Sequence, residues 1–340
     1  MICCPNCFRD RGLEREIIPQ LSERTGNCPS CKVKNAPLVE AKKLGDYFEV
    51  LCGIYVRNDS GKVLVDWLIE DWNLFNLDRA MANSLLVEIL DDGERVREFV
   101  MPSELCETRN LDGWQTLREE LRHVNRFFPE TDFELQRLEE LFSSLLISRD
   151  EWPVDWFRAR IETSGTPYDP EDMRAPPREL ASHGRANPAG IPYLYLGSQP
   201  FTAIAEVRPH PGERVCVAKY RIDDDLPIID LRNPRTLISP FLLEGEGEIG
   251  LMRGDIEFLE RLGSELTTPV LPNAAAIDYI PSQYLCEYIK KCGYAGVLYS
   301  SSVSDGVNIA LFDPNIGLVQ SVDEYLVNRV DVDVEIITKV

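Results

Sequence analysis

Residues Gly184–Arg208 read G-R-A-N-P-A-G-I-P-Y-L-Y-L-G-S-Q-P-F-T-A-I-A-E-V-R. Arg185 lies in a loop of small residues. Glu206 interrupts an otherwise apolar helix expected over Phe201–Val207, and the stretch Ile191–Leu196 between them reads as a short aromatic strand. Farther on, Gly293–Phe312 reads G-Y-A-G-V-L-Y-S-S-S-V-S-D-G-V-N-I-A-L-F, a buried strand ending in serines. Arginine, glutamate and serine on separate elements suit a phosphate-bearing sugar nucleotide. Arginine forks onto phosphate oxygens, and carboxylate and hydroxyl groups bond ribose hydroxyls.

Outward from this stretch, short strands and helices mix irregularly. Strands are expected at Tyr193–Leu196, Val215–Tyr220, Ile228–Leu231, Gly296–Leu298 and Asn308–Phe312. Helices are expected at Phe201–Val207, Asp255–Leu262 and Pro281–Cys292. The alternation is too irregular for a doubly wound sheet, so the expected class is α+β. The turn-rich stretch Ser164–Pro177 reads as an ordered loop.

Upstream, residues 44–150 read as mainly helical, with helices expected at Asp71–Ile89, Gly113–His123 and Thr131–Leu146. The last carries Phe133, Leu135, Leu138, Leu141, Phe142 and Leu145 at helical spacing. Residues 1–43 form a separate unit. Cys4-Pro-Asn-Cys7 and Cys28-Pro-Ser-Cys31 are two C-x-x-C knuckles, the pattern of a four-thiolate structural zinc ribbon. Cys3 is an alternative ligand to Cys4. A closed four-sulfur site leaves no open position for catalysis. The remaining cysteines (Cys52, Cys106, Cys216, Cys286, Cys292) stand singly, which fits a reducing compartment and small core residues.

With 340 residues there is room for two or three domains. The apolar fraction of 44% is that of an ordinary globular protein. No apolar run reaches the roughly 18 residues that span a bilayer, and the N-terminus M-I-C-C-P-N-C lacks a signal-peptide pattern, so a cytoplasmic location is expected. The net charge of −21 argues against general nucleic-acid binding. The last hundred residues carry 16 acidic and 6 basic side chains, read either as a solubilising surface or as one for a basic partner.

Five segments together resemble the RES domain: W-F-R-A-R at Trp156–Arg160, the Gly184–Leu196 stretch, T-A-I-A-E-V-R at Thr202–Arg208, P-S-Q-Y-L-C-E-Y-I at Pro281–Ile289 and G-Y-A-G-V-L-Y-S-S at Gly293–Ser301. They occur in the family's order. The resemblance implies a fold similar to ADP-ribosyltransferases over residues 151–340 and degradation of NAD⁺, with phosphate as the favoured acceptor. It also implies an inhibitor protein of the antitoxin kind as a partner. It assigns the name-giving residues to Arg158, Glu206 and Ser301, with Ser300 and Ser302 as alternatives, and puts Arg185 and Tyr195 on further positions around NAD⁺. The zinc ribbon and helical region resemble the segment before the RES domain in one subgroup, grouped with HEPN domains. That subgroup differs from the compact toxins beside a small antitoxin.

The chemistry suits these residue types. Loss of nicotinamide from NAD⁺ develops positive charge on the ribose carbon, as in glycoside cleavage. Glu206, flanked by Ala205 and Val207, would stabilise that charge in a low-dielectric setting. Arg158 and Arg185, with Arg160 as a third, would hold the pyrophosphate. Tyr195 would stack on a base, and Ser301 would bond a phosphate or ribose hydroxyl. Each also has a plain structural reading, as a loop tie, a solvated helix face, a core ring or a polar strand end. Three further functions fit the sequence: ADP-ribosyl transfer to a protein, non-catalytic sensing of NAD or ADP-ribose, and a HEPN-type ribonuclease. The last rests on the R-x4-H pattern at Arg118–His123. Those two residues stand about 140° apart around a helix, so a site would have to be completed across a homo-oligomer.

Overall fold

The computed structural model describes residues 1–222, 225–271 and 273–331. Residues 332–340 of the expected third segment lie outside them. The chain forms two compact units. The first comprises Met1–Leu117, Glu130–Leu135 and Asn233–Arg261. The second comprises Arg118–Pro129, Gln136–Arg232 and the chain from Leu262 onward. Among the described residues no helix is long and apolar enough to cross a membrane.

The first unit begins with a small antiparallel sheet of β1 (Ile2–Cys3), β2 (Arg24–Gly26) and β3 (Ala36–Glu40), in the order β1-β3-β2. The single helix expected over Asp71–Ile89 is two helices, Leu64–Trp72 and Arg79–Leu90. Asn73 ends the first in the left-handed conformation (φ 48°), and the Asp78 side chain caps the second by accepting from the Met81 N–H at 2.9 Å. Residues 44–150 are also less helical than expected. They contain β4 (Tyr55–Val63) and β5 (Phe99–Pro102), paired antiparallel with a bulge between Arg57 and Lys62. The helix expected at Asp255–Leu262 runs over Gly245–Thr267. Aromatic packing supplies much of this unit's core. Phe48 lies against Phe8 and Phe241 (centroids 6.0 and 4.9 Å apart), and Trp114, Phe133 and Phe258 form a second cluster.

The second unit is built on an eight-stranded sheet. Its strands are β6 (Leu146–Ile147), β7 (Asp155–Ile161), β8 (Leu194–Gly197), β9 (Arg214–Arg221), β10 (Ile228–Asp230), β11 (Gly296–Ser300), β12 (Val307–Leu311) and β13 (Leu318–Leu326). Their order is β13-β9-β7-β8-β12-β11-β10-β6, antiparallel throughout except for the parallel pair β10 and β11. Period-two alternation gives the sheet two apolar faces. Trp156, Leu194, Leu196, Ala218, Tyr220, Leu298, Ile309 and Leu311 form the core on one face. Ala159, Val215 and Val217 lie on the other, under Ala203 of helix Pro200–Glu206. Among the described residues the remainder is loops and helices, Ile280–Lys291 among them.

Candidate functional site

The register of the sheet draws one row of residues across four strands. Phe157 pairs with Gly197, Gly197 with Asn308, and Asn308 with Tyr299. Directly paired residues share a face, so these four side-chain positions look the same way. All four line a cavity of about 470 Å³ on the helix-bearing face. Gly197 is what lets the helix Pro200–Glu206 sit so close. A Cβ there would come within 2.9 Å of the Ala203 backbone nitrogen.

That helix delivers Glu206 to the cavity wall at its last residue. Ser301 Oγ, on the loop between β11 and β12, donates to Glu206 Oε1 at 2.7 Å. Asn308 Nδ2, on β12, donates to the same oxygen at 2.6 Å. Contrary to the low-dielectric expectation, Glu206 is exposed. Ile204 and Val207 pack against the sheet, whereas the carboxylate at the helix end lines the cavity and is open to solvent. The chain then turns through Arg208 in the left-handed conformation (φ 50°), which brings Arg208 to the same cavity. For a residue with a Cβ that conformation costs roughly 1–2 kcal/mol.

Arg185 is held by a tightly pinned loop. The Asn187 side-chain amide donates to the carbonyls of Ser182, Pro188 and Ile191 at 2.9–3.0 Å, and Asn187 Oδ1 accepts from the Tyr195 hydroxyl at 2.7 Å. That hydroxyl accepts in turn from the Ala186 N–H at 3.0 Å. From the helix Ile280–Lys291, Ser282 Oγ donates to the Arg185 carbonyl and Gln283 Nε2 to the Gly184 carbonyl, at 2.6 and 2.8 Å. Gly184 has no room for a Cβ, which would meet Asn187 Oδ1 at 2.5 Å. So fixed, the Arg185 guanidinium donates to the Thr268 carbonyl (2.7 Å) and to Ser302 Oγ (3.0 Å), 5.4 Å from the Tyr279 ring centroid. Tyr195 lines the cavity, but its hydroxyl is committed to this loop. Burial, above all, raises its pKa and keeps it neutral.

Arg158 enters by an unusual route. β7 and β8 pair only at Phe157 and Gly197. Where they part, the Tyr195 carbonyl accepts from Arg158 Nη1 at 3.3 Å instead of from a strand neighbour. Arg158 Nε is enclosed and finds no acceptor among the described residues. Burial lowers the pKa of this guanidinium, with Arg160 adding to the effect, yet arginine stays charged at neutral pH. Arg160, expected as a third phosphate ligand, is not in the cavity. It donates to the Asp172 carbonyl and stacks over Tyr168, 4.7 Å from the ring centroid.

The cavity therefore gathers Arg158, Arg185, Tyr195 and Glu206; Ser301 is bonded to Glu206 but is not among the lining residues. It also contains His183, Arg208, Tyr279, Tyr299 and Asn308, to which the sequence reading gave no role. A family model described as the RES domain matches residues 155–331.

The chain belongs to the RES-domain family.

A solved structure similar to this RES-domain protein is titled the crystal structure of the M.tuberculosis MbcT-MbcA toxin-antitoxin complex. It shares 15% identity, covers 56% of this chain and 91% of that chain, and superposes with a TM-score of 0.33. Among curated proteins none matches.

Elsewhere in the RES-domain protein, the first unit brings the sulfurs of Cys4, Cys7, Cys28 and Cys31 within 4.8 Å of one another. The closest pairs are Cys4 with Cys31 (3.4 Å) and Cys7 with Cys28 (3.6 Å). Tetrahedral zinc with bonds of about 2.3 Å needs sulfurs nearly that far apart, so the four thiols fit the ion. Burial, first of all, pushes the Cys4 thiol up to about 12 and raises Cys7, whereas Cys28, despite its burial, is lowered by the backbone N–H groups of Cys31 and Ser30; a cation is what would make Cys4 and Cys7 thiolates. Cys3 stands outside the cluster, with its thiol on the Val39 carbonyl. In the second unit, Arg118 is bound by Glu265 and Glu119, while the His123 side chain is 53% exposed.

Proposed function

We infer that the cavity binds NAD⁺ and that the protein cleaves the nicotinamide–ribose bond. The observation that carries this reading is the convergence of two arginines from different elements with one glutamate on a single cavity. Its volume lies within the range of about 300–1,000 Å³ typical of cofactor-sized sites. Arg158 and Arg185 take the pyrophosphate; the unsatisfied Nε of Arg158 and the fixed loop around Arg185 suit rigid forks. Tyr279 and Tyr299 offer aromatic surface for a ring.

In the reaction, the bond from ribose C1 to the nicotinamide nitrogen breaks and its electron pair goes to the ring, which leaves neutral. The Glu206 carboxylate faces the cation that develops on the ribose and binds a ribose hydroxyl. An oxygen of the acceptor then bonds to C1. Inorganic phosphate, as dianion or monoanion, is the acceptor the RES resemblance favours. Water would give ADP-ribose and a proton, and a protein side chain would give a modified protein. We assign the four-cysteine cluster to one structural zinc, held as tetrathiolate, with no part in the chemistry.

The test is to incubate the protein with NAD⁺ and phosphate and to separate the products by chromatography. Free nicotinamide and ADP-ribose 1″-phosphate are expected from the native protein and neither from Glu206→Gln. The amide oxygen of Glu206→Gln can still accept from Ser301 and Asn308, so that variant should stay folded. Intact NAD⁺ in the presence of folded protein refutes the reading.

A further inference from the structure

β12 reads V-N-I-A-L, and its Asn308 is 5% exposed among buried apolar neighbours. A primary amide is costly to bury unless its groups are bonded. Asn308 Nδ2 spends its bond on Glu206 Oε1, at 2.6 Å. Ser301 Oγ reaches the same oxygen, but the two donors differ in rigidity. Ser301 follows the end of β11, in the loop to β12, and its hydroxyl also accepts from the Val303 N–H at 3.2 Å. Asn308 stands inside the sheet, paired with Gly197 on one side and Tyr299 on the other. Glu206, in contrast, is the exposed last residue of a seven-residue helix.

We propose that Asn308 is the positioning residue for Glu206. It anchors Oε1 to the centre of the sheet and leaves Oε2 as the oxygen available to substrate. The grip follows from geometry alone; its consequence for turnover rests on the NAD⁺ reading. Holding a carboxylate to a fixed orientation before the substrate arrives removes reorganisation from the reacting state.

Asn308→Asp tests this because it keeps the shape and replaces the donor with a second carboxyl group. Two carboxylates in contact cannot both ionise, so the pair must share a proton to keep the bond. The expected result is a kcat that falls relative to native protein as pH rises from about 5 to about 8, by roughly tenfold to a hundredfold, the loss of one charge-assisted hydrogen bond. KM for NAD⁺ should stay within about twofold, because Asn308 acts through Glu206 and most of the binding comes from the arginines on the pyrophosphate. A substrate-free readout runs beside it. Combining Glu206→Gln with Asn308→Asp reverses donor and acceptor, and should recover the melting temperature that Asn308→Asp loses at pH 8. A native pH profile in Asn308→Asp, or additive stability effects at the two positions, overturns the proposal. Should Asn308→Asp fail to fold, Asn308→Ala decides: kcat reduced with KM unmoved supports positioning, and native kcat overturns it. If native protein leaves NAD⁺ intact while positions 206 and 308 remain coupled in stability, the substrate reading fails and the grip stands.

Discussion

Asn187→Ala is the sharpest test of how the arginine loop is built. The side chain is buried. It donates to three carbonyls and accepts from Tyr195, whose hydroxyl in turn holds the Ala186 N–H. Two amide hydrogens cannot fully satisfy three acceptors, so we count two donated bonds and one accepted. A net intramolecular bond contributes about 1 kcal/mol, and each buried partner left unsatisfied costs about 1–3 kcal/mol. Alanine also frees no strain, since no left-handed backbone is involved at this position. Three lost bonds come to about 3 kcal/mol, more where a carbonyl stays buried without a donor, or on the order of 10 °C in melting temperature for a unit of this size. Urea unfolding followed by fluorescence of Trp152 and Trp156, with the tryptophans of the first unit replaced by phenylalanine, isolates the second unit. Loss of nicotinamide release should accompany the instability, because Arg185 is carried by the same loop. A destabilisation below about 1 kcal/mol would refute the claim that Asn187 organises it.

Other outcomes follow from the same geometry. Asp10 is buried, and desolvation raises its pKa from 3.8 to about 6. The proton-linked stability is fully present below the unfolded value and is lost as pH rises through about 6. Native protein should therefore lose about 3 kcal/mol relative to Asp10→Asn between pH 3.5 and 7 in paired denaturation curves; no relative change contradicts the burial argument. Elemental analysis should find about one zinc per chain, and Cys28→Ser should release it and destabilise the first unit; a metal content unaffected by Cys28→Ser would exclude the cluster. Arg160→Ala should leave KM for NAD⁺ within about twofold, whereas Arg158→Ala should raise it at least tenfold; equal effects would place both side chains at the ligand.

The sequence made the helix with Glu206, the glycine loop with Arg185 and the serine run legible, because each is a local pattern with local causes. Arg158 and Arg160 could not be separated the same way. Period two puts both on one face of β7, and only the parting of β7 from β8 beside Tyr195 gives Arg158 its path to the cavity. Asn308 was read as part of a buried strand, although one amide in V-N-I-A-L is itself the signal of a specific partner. The strand β4 was hidden inside a region read as helical. Its turn-type residues Asn58-Asp59-Ser60-Gly61, which form the bulge between Arg57 and Lys62, are the cue that was available. β13 carries mostly exposed side chains at the sheet edge, so it lacks the alternation that marks a half-buried strand.

A crystal structure of Glu206→Gln with NAD⁺ bound tests the account most directly. The pyrophosphate is expected within hydrogen-bond reach of Arg158 and Arg185, and the nicotinamide ribose beside residue 206. A dinucleotide seated anywhere else on the protein would contradict it.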